Sequence, residues 1–588
     1  MSTINIKANL CTDFFQISIA NNQDRESIYK LRHAIYAEEL AQHKVNDSYL
    51  LKDGIDAHNI YIVAKRHNSV KGFISITPAQ APEFSIDKYF NRSQLPISFD
   101  EYLYEVRLLS ISTNERNSSL SFLLMYAAWR WVSSHGGKNI IAICRKDIIE
   151  LYRKAGLKQL GISVKSGAVT YELSMASVKN LEKIALQKTE LLLSLQKKIN
   201  WRLPFSFLKP SLCYHGGSFF KAIGEDLQTI NKNETIINAD VLDAWFPPSP
   251  TIIKALQDNL SWLLQTSPPT HCEGLIKTIA DYRGVNENCI LPGAGSSDLI
   301  FLALRHWLNP QSKVLILDPC YGEYIHVLEK IIQCQVNRHT LKRENGFVVD
   351  TDSLLYEINN DYDMIILVNP NSPTGLFISK EELKEMLIQT PDSTMVWIDE
   401  TYIEYAGKSQ SLEQFATERE NIIVCKSMSK VYSLSGARVA YLCCSPHLIE
   451  KLKSLTPPWA VSLPAQLAAV TALRDEGYYQ KKYLETHFLR EALKDILFKL
   501  GIHEIIPGIA NFLLFYLPND YPDAEIIIEK CKAKNLFLRD VSEMGTMMGK
   551  RALRIAVKDE KTNKKMIGII EQVLKECNVF INIPTNNE

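Results

Sequence analysis

An acid, a phenol, a serine, a lysine and an arginine fall just beyond two neighbouring apolar runs. The run MVWID (395–399) continues as D-E-T-Y, carrying Asp399 and Tyr402, and the run IIVCKS (422–427) continues as S-M-S-K, carrying Ser427 and Lys430, with Arg438 shortly after. If both runs are strands of one parallel sheet, their carboxyl ends open onto a single crevice and these side chains converge there. A lysine after a strand is ordinarily a solvated charge. The joint spacing of Ser427, Lys430 and Arg438, with Asp399 and Tyr402 one strand earlier, points instead to a reactive amine in a tuned pocket.

Upstream, GAGSSD (293–298) follows the short apolar run CILP and precedes the helical stretch LIFLALRHWL. Gly295 permits close backbone approach, and the first N–H groups and dipole of the following helix favour an anion such as phosphate. Ser296 and Ser297 stand where they either cap that helix or face its ligand. Two further strand ends carry D-P-C-Y, with Tyr321, and N-P-N-S-P-T-G, with Ser372.

These side chains need a scaffold. KVLILD (313–318), MIILVN (364–369), MVWID and IIVCKS are short continuous apolar runs separated by helical stretches, the pattern of parallel strands covered on both faces. Residues 1–175 hold a separate alternation: a helix over 25–40, strands at 59–64, 70–77 and 103–111, a helix over 119–134, a strand at 139–144, a short helix over 148–155 and a closing strand at 168–173. Between them, VKNLEKIALQKTELLLSLQKKI has helical periodicity and LPFSFLKPSL carries two prolines, which predicts a helical linker over 176–234. The aromatic segment 213–234 leaves its own role open.

Composition sets the outer limits. The 588 residues exceed one hydrophobic core. Lys plus Arg and Asp plus Glu both number 66, so no global field favours nucleic acid or an anionic membrane. The amino terminus MSTINIKANL has no signal-peptide pattern and no run is long enough to span a bilayer, so the expected compartment is the cytoplasm. The 12 cysteines lack metal-ligand spacing, no metal is expected, and Cys443 and Cys444 in VAYLCC read as buried reduced thiols.

In their order, NPNSPTG, DETYIEYAG, SMSKVYSLSGAR and RALRIAV (551–557) resemble the fold-type I, class I/II aminotransferases, most closely the histidinol-phosphate aminotransferase branch, which also holds threonine-phosphate decarboxylases. ANFLLF and LFLRDV resemble the same branch. The resemblance implies an α/β fold over 235–585, with a large three-layer αβα domain binding pyridoxal 5'-phosphate (PLP) and a small α/β carboxyl-terminal domain. It implies that Lys430 bonds to the cofactor and shuttles a proton, that Asp399 pairs with the pyridine nitrogen, that Tyr402 bonds the ring's phenolic oxygen and that Tyr321 stacks on the ring. It further implies that Gly295, Ser296, Ser297, Ser427 and Arg438 hold the phosphate and that Arg554 binds the substrate α-carboxylate. The family's chains form homodimers with active sites near the interface. Two residues depart from its pattern: Ser372 replaces an asparagine that donates to the ring oxygen, and Phe246, in DAWFPPSP, replaces a tyrosine that reaches the partner's phosphate.

ELYRKAGLKQLG (150–161) and the helix after Arg116 make the amino-terminal domain similar to the GNAT acyltransferases. LRHAIYAEEL and KDGIDAHNIYIVA resemble the branch of acyl-homoserine-lactone and long-chain N-acyl amino acid synthases. That likeness implies an acyl-CoA or acyl carrier protein thioester as donor. The pyrophosphate loop of that superfamily bears glycine, whereas ERNSSLS (115–121) has none. Glu105 and Arg107 either polarise an amine and bind a carboxylate or form a solvated salt-bridge face.

The expectation is therefore an aminotransferase moving an amino group between an amino acid or amino-phosphate compound and a 2-oxo acid, fused to a domain that N-acylates an amine. A decarboxylase using the same cofactor and a non-catalytic PLP-binding regulator are the alternatives.

Overall fold

The computed structural model describes residues 14–116, 119–196, 198–209, 216–225 and 227–577. The chain divides into two compact units, Met1–Ser211 and Leu212–Glu588.

The first unit is built on an eight-stranded sheet of β1 (Phe15–Ile19), β2 (Ile60–Arg66), β3 (Ser69–Thr77), β4 (Leu103–Ile111), β5 (Asn139–Arg145), β6 (Lys158–Ser166), β7 (Val169–Ser177) and β8 (Ile199–Trp201), in the order β6-β7-β5-β4-β3-β2-β1-β8. Neighbours are antiparallel except β4 with β5 and β1 with β8. β2 and β3 form a hairpin closed by His67 and Asn68, both at positive φ, 48° and 61°, the two-residue geometry that matches strand twist. The helix Leu120–Ser134 lays Leu120, Leu123, Leu124 and Ala127 on the sheet core.

Residues 178–201, expected as one connecting helix of a linker, break at Gln187 and Lys188 into helices Val178–Leu186 and Thr189–Gln196, then form β8 on the edge of this sheet. The physical reason is burial: Val178, Leu181, Leu192 and Leu195 belong to the same apolar cluster as the Leu120–Ser134 helix. Asn117 and Ser118, in the glycine-free loop, lie outside the described residues.

In the second unit β9 (Ile237–Asn238) precedes a seven-stranded sheet of β10 (Ile290–Gly293), β11 (Lys313–Asp318), β12 (Gln335–Thr340), β13 (Met364–Val368), β14 (Met395–Asp399), β15 (Ile422–Ser427) and β16 (Ala440–Cys443), ordered β10-β16-β15-β14-β13-β11-β12. β16 runs antiparallel to both neighbours, a departure from an all-parallel expectation; the chain turns back through Arg438 instead of crossing over a helix. Alternate residues feed two cores: Leu315, Ile365, Val396 and Ile398 face one, while Ile316, Ile366 and Trp397 face the other. That two-sided burial explains the unbroken apolar runs.

A smaller sheet follows, of β17 (Glu504–Ile506), β18 (Phe512–Tyr516), β20 (Arg539–Asp540) and β21 (Ala552–Ala556), while β19 (Leu536–Phe537) pairs with β9. Helices Ala524–Lys532 and Glu560–Glu576 cover it. Cys443 and Cys444 are buried free thiols, and burial pushes both up. Residues 213–215 and 226 of the aromatic segment lie outside the described residues; within it, Gly217 donates its N–H to Asp240 Oδ2 at 3.0 Å and Phe219 lies edge-on to Phe537.

Candidate functional site

One cleft at the carboxyl edge of the seven-stranded sheet is lined by Ser296, Ser297, Tyr321, Ser372, Asp399, Tyr402, Ser427, Lys430, Arg438 and Arg554. Topology explains the gathering. β10, β11, β13, β14 and β15 end on this edge, and β16, running the other way, begins on it, with Ala440 opposite Ser427. Arg554 comes from β21 of the smaller sheet.

Asp399, 3% exposed, accepts from Thr401 N–H at 2.9 Å and Thr401 Oγ1 at 2.6 Å through Oδ1, and from Tyr324 Oη at 2.7 Å through Oδ2. Trp397 Nε1 in turn donates to Tyr324 Oη at 2.8 Å. Burial raises the Asp399 pKa, and the hydrogen bonds from Thr401 and Tyr324 oppose that rise. Tyr402 is buried edge-on to Phe512, and burial pushes its phenol well up.

Lys430 directs Nζ to Asp243 Oδ1 at 2.8 Å and to Ser435 Oγ at 3.5 Å, while its carbonyl accepts from Tyr405 Oη at 3.2 Å. Ser427 Oγ accepts from the Ser429 N–H at 3.3 Å. Gly295 is the N-cap of helix Ser296–Trp307 at φ 97°, and a Cβ there would stand 2.3 Å from an Arg438 guanidinium nitrogen. Only glycine lets this arginine sit against the helix start. Ser297 does not cap its helix; its hydroxyl donates to the buried Glu323 Oε2 at 3.0 Å. Tyr321 is half-buried and meets Tyr324 edge-to-face.

Ser372 accepts from Arg554 Nη1 at 3.1 Å, so its own proton remains to donate. Arg554 Nη2 donates to the Asp240 carbonyl at 3.3 Å, while its buried Nε has no hydrogen-bond partner among the described residues. Burial lowers the Arg554 pKa to about 10, a desolvation cost that an anion beside the guanidinium would offset. Phe246 is 1% exposed and packs edge-on to Trp245 and Tyr479 as core.

Tyr324, Trp397, Thr401, Glu323 and Asp243 escaped the sequence reading. Tyr324 stands one helical turn after Tyr321, and Thr401 lies inside D-E-T-Y, so adjacency was the available signal; nothing in the sequence ties Asp243 to Lys430.

The cleft fits PLP on this chain's own features. A glycine-framed helix start faced by an arginine suits a phosphate, and a buried carboxylate with a supported geometry suits a pyridine nitrogen. Behind the cleft, Lys426 and Arg283 share Glu400, Glu404 and Glu413 in a cluster at most 3% exposed, with Lys426 Nζ to Glu404 at 3.0 Å and Arg283 Nε to Glu413 at 3.1 Å. It braces β14 against β15 immediately after Asp399 and before Ser427.

In the first unit β4 and β5 pair only over Leu103–Glu105 with Asn139–Ile141 and then part, β4 carrying Leu108 at φ 56°. An apolar cavity lies in that region, lined by Leu109, Phe122, Met125, Tyr126 and Trp129, with Arg107 and Lys188 as its two charged lining residues. Glu105 is fully buried and accepts from Ser85 N–H at 2.7 Å and Ser85 Oγ at 2.5 Å, from Ile86 and from Thr77. Arg107 Nη2 pairs with Asp53 at 2.8 Å, and its Nη1 is buried without a hydrogen-bond partner among the described residues. Neither residue forms a solvated face.

Among the described residues there is no helix long and apolar enough to cross a membrane and no group of side chains that could hold a metal ion.

The family of class I and II aminotransferases matches over residues 238–570. The histidinol-phosphate aminotransferase of Methanococcus aeolicus is 25% identical over 346 residues, 59% of this chain and 91% of the relative. That of Methanococcus maripaludis is 28% identical over 328 residues, 56% of this chain and 87% of the relative. Among solved structures, the histidinol-phosphate aminotransferase of Clostridium acetobutylicum is similar with a TM-score of 0.53 at 24% identity, covering 58% of this chain and 100% of that one. The Sinorhizobium meliloti enzyme in complex with pyridoxal-5'-phosphate is similar with a TM-score of 0.54 at 18% identity, covering 63% and 100%. These two likenesses are of fold.

Proposed function

Because the chain belongs to the class I and II aminotransferase family and is a PLP-dependent enzyme of it, we propose that its second unit moves an amino group between an amino acid or amino-phosphate compound and a 2-oxo acid, with Lys430 as the cofactor lysine. One observation carries the reading: Asp399, Tyr402, Ser427, Lys430, Arg438 and Arg554 line a single cleft although they come from three strand ends of one sheet and the middle of a strand of another.

When bound, PLP supplies an electron sink that stabilises negative charge at the substrate carbon. The rest is work for the protein. Arg438, the N–H groups after Gly295 and Ser427 hold the phosphate; Tyr321 covers the ring. Asp399, hydrogen-bonded by Tyr324 and Thr401, would pair with the pyridine nitrogen and keep it protonated. Tyr402 and Ser372 donate toward the ring oxygen. Arg554 grips the substrate carboxylate through the edge that includes its unpartnered Nε. Lys430 Nζ, when not bonded to the cofactor, would be the group that takes the proton from the substrate α-carbon and hands it to the accepting carbon on the far side of the shared nitrogen. The carboxylate is thereby anchored rather than freed, which favours amino transfer over decarboxylation.

For the first unit we propose N-acylation of an amine with a thioester donor. The parted strands and the apolar cavity support a site for the acyl part, and Arg107 Nη1 supports recognition of a carbonyl or carboxylate beside it. Buried Glu105, saturated by four donors, is a positioning group there, not a base. We further propose a cytoplasmic homodimer, to be tested by light scattering of the loaded protein.

The purified full-length protein should show a visible absorbance band, lost in Lys430→Ala. Incubated with pooled amino acids and 2-oxo acids, it should yield new oxo acids by mass spectrometry. Amines without oxo acids would mean decarboxylation, and a band without turnover would mean a regulator. With an amine and acyl thioesters of graded length, thiol release should occur; none with any amine would remove the acylation reading.

A further inference from the structure

Asp243 is the ion-pair partner of the residue on which the proposed chemistry depends, and it comes from 187 positions away, in the loop after β9. The loop is held in place without help from the Asp243 side chain. Asn511 Nδ2 donates to the Leu242 carbonyl at 3.0 Å, the Val241 N–H donates to Asn238 Oδ1 at 3.0 Å, and Ser433 Oγ donates to the Phe246 carbonyl at 2.7 Å. The carboxylate is therefore presented to Lys430 by a fixed backbone. Burial raises the Asp243 pKa, but Lys430 outweighs that, aided by Ser435, and holds the carboxyl below its ordinary range. Lys558, on the segment after β21, is the other nearby cation; burial pushes its amine down to about 8. Among the described residues no other carboxylate lies within ion-pair distance of Lys430 Nζ.

A lysine in this role has two stations. In one its Nζ is bonded to the cofactor; in the other it is free at the end of a flexible four-carbon stem that loses rotamer freedom when it is placed. The Asp243 contact is a ready-made second station. We propose that Asp243 docks the head group of Lys430, with the proton it carries, whenever that lysine is not bonded to the cofactor. The assignment rests on the proposed role of Lys430. The proton passes from the substrate carbon to Nζ, making an ammonium, and from Nζ to the accepting carbon; Asp243 accepts a hydrogen bond throughout and neither gains nor loses a proton. It is a positioning residue: it confines the stem so that the amine returns along one path, and it stabilises the ammonium between the two transfers.

The experiment compares full-length wild type, Asp243→Asn and Asp243→Glu. In the apoproteins at pH 7.5, labelling of Lys430 by trinitrobenzenesulfonate is followed by peptide mass mapping. The asparagine variant should be labelled several-fold faster, since the carboxylate no longer holds the Lys430 head group in place, and the glutamate variant should stay near wild type. In the loaded enzymes kcat should fall about tenfold in Asp243→Asn with KM within twofold, the size of one charged hydrogen bond, and Asp243→Glu should recover most of it. Equal labelling rates in all three, or a glutamate variant that behaves as the asparagine one, would overturn the proposal. A wild type that takes up no PLP would instead defeat the proposed function, while the labelling rates would still decide whether Asp243 holds Lys430.

Discussion

Tyr324 gives its hydroxyl proton to Asp399 across 2.7 Å while receiving one from the Trp397 indole at 2.8 Å, all three being buried. The donated bond favours the ionised carboxylate, which burial opposes. Tyr324→Phe removes the donor without opening a void, so Asp399 protonates more readily. A hydrogen bond to a charged group contributes about 1.5–3 kcal/mol, so kcat should fall roughly ten- to hundredfold. The acid limb of the pH–rate profile should move to higher pH. An unmoved limb would sever Tyr324 from the chemistry.

Arg554 presents a fork of which Nε has no partner among the described residues. Arg554→Lys keeps the charge and loses the planar geometry, so KM for the amino acid should rise on the order of a hundredfold, a loss of about 2–3 kcal/mol. Steady-state kinetics with an amine lacking the carboxylate should show little difference between the two proteins. Equal losses for both substrates would place Arg554 in the fold alone.

Glu404 accepts from both Arg283 and Lys426, and their charges pull its carboxyl down to about 2 in spite of burial. A depressed carboxylate stabilises the fold above its ordinary value near 4.5 and loses that contribution as pH falls toward 2. Glu404→Gln removes the carboxylate nearest to both buried cations, leaving Glu400 and Glu413 to balance them, and should cost about 1.5–3 kcal/mol at pH 7 in urea unfolding, the size of a charged hydrogen bond. The deficit should shrink in acid, where the wild type loses the same charge.

At Lys558 it is the charged form that burial disfavours. Burial depresses its amine from 10.5 to about 8, so the unfolded chain binds the proton more tightly and the folded protein gains stability as pH rises through that interval. Lys558→Met should therefore be more stable than wild type at pH 7, by about 3 kcal/mol at most, with the gap narrowing between pH 8 and 10.5. Thermal midpoints across that range decide it.

Strand ends were the readable part of this molecule. MVWID, IIVCKS and KVLILD each carry an unbroken apolar stretch because both faces of the sheet are covered, and their terminal Asp399, Ser427 and Asp318 mark where they stop. β6 was not readable: KQLGISVKS is an edge strand whose residues alternate between exposed and half-buried, so no apolar face announces it. The break at Gln187 and Lys188 was equally hidden, since helical periodicity persists on both sides of it. In the site, residues at fixed offsets from a strand end could be proposed, whereas Asp243 depends on a loop path that local pattern does not encode. Glu105 shows a further limit: E-x-R reads the same whether water or Ser85 surrounds the acid.

Gly295 follows β10 and Arg438 precedes β16, so the two halves of the anion cradle belong to neighbouring strands, β10 at the sheet edge and β16 beside it, joined by some of the sheet's longest intervening chain. A phosphate seated there acts as a suture across that seam. Loaded and unloaded protein should accordingly differ most at this margin, with amide exchange in β10 and β16 slowed by the cofactor and the melting temperature rising with its concentration.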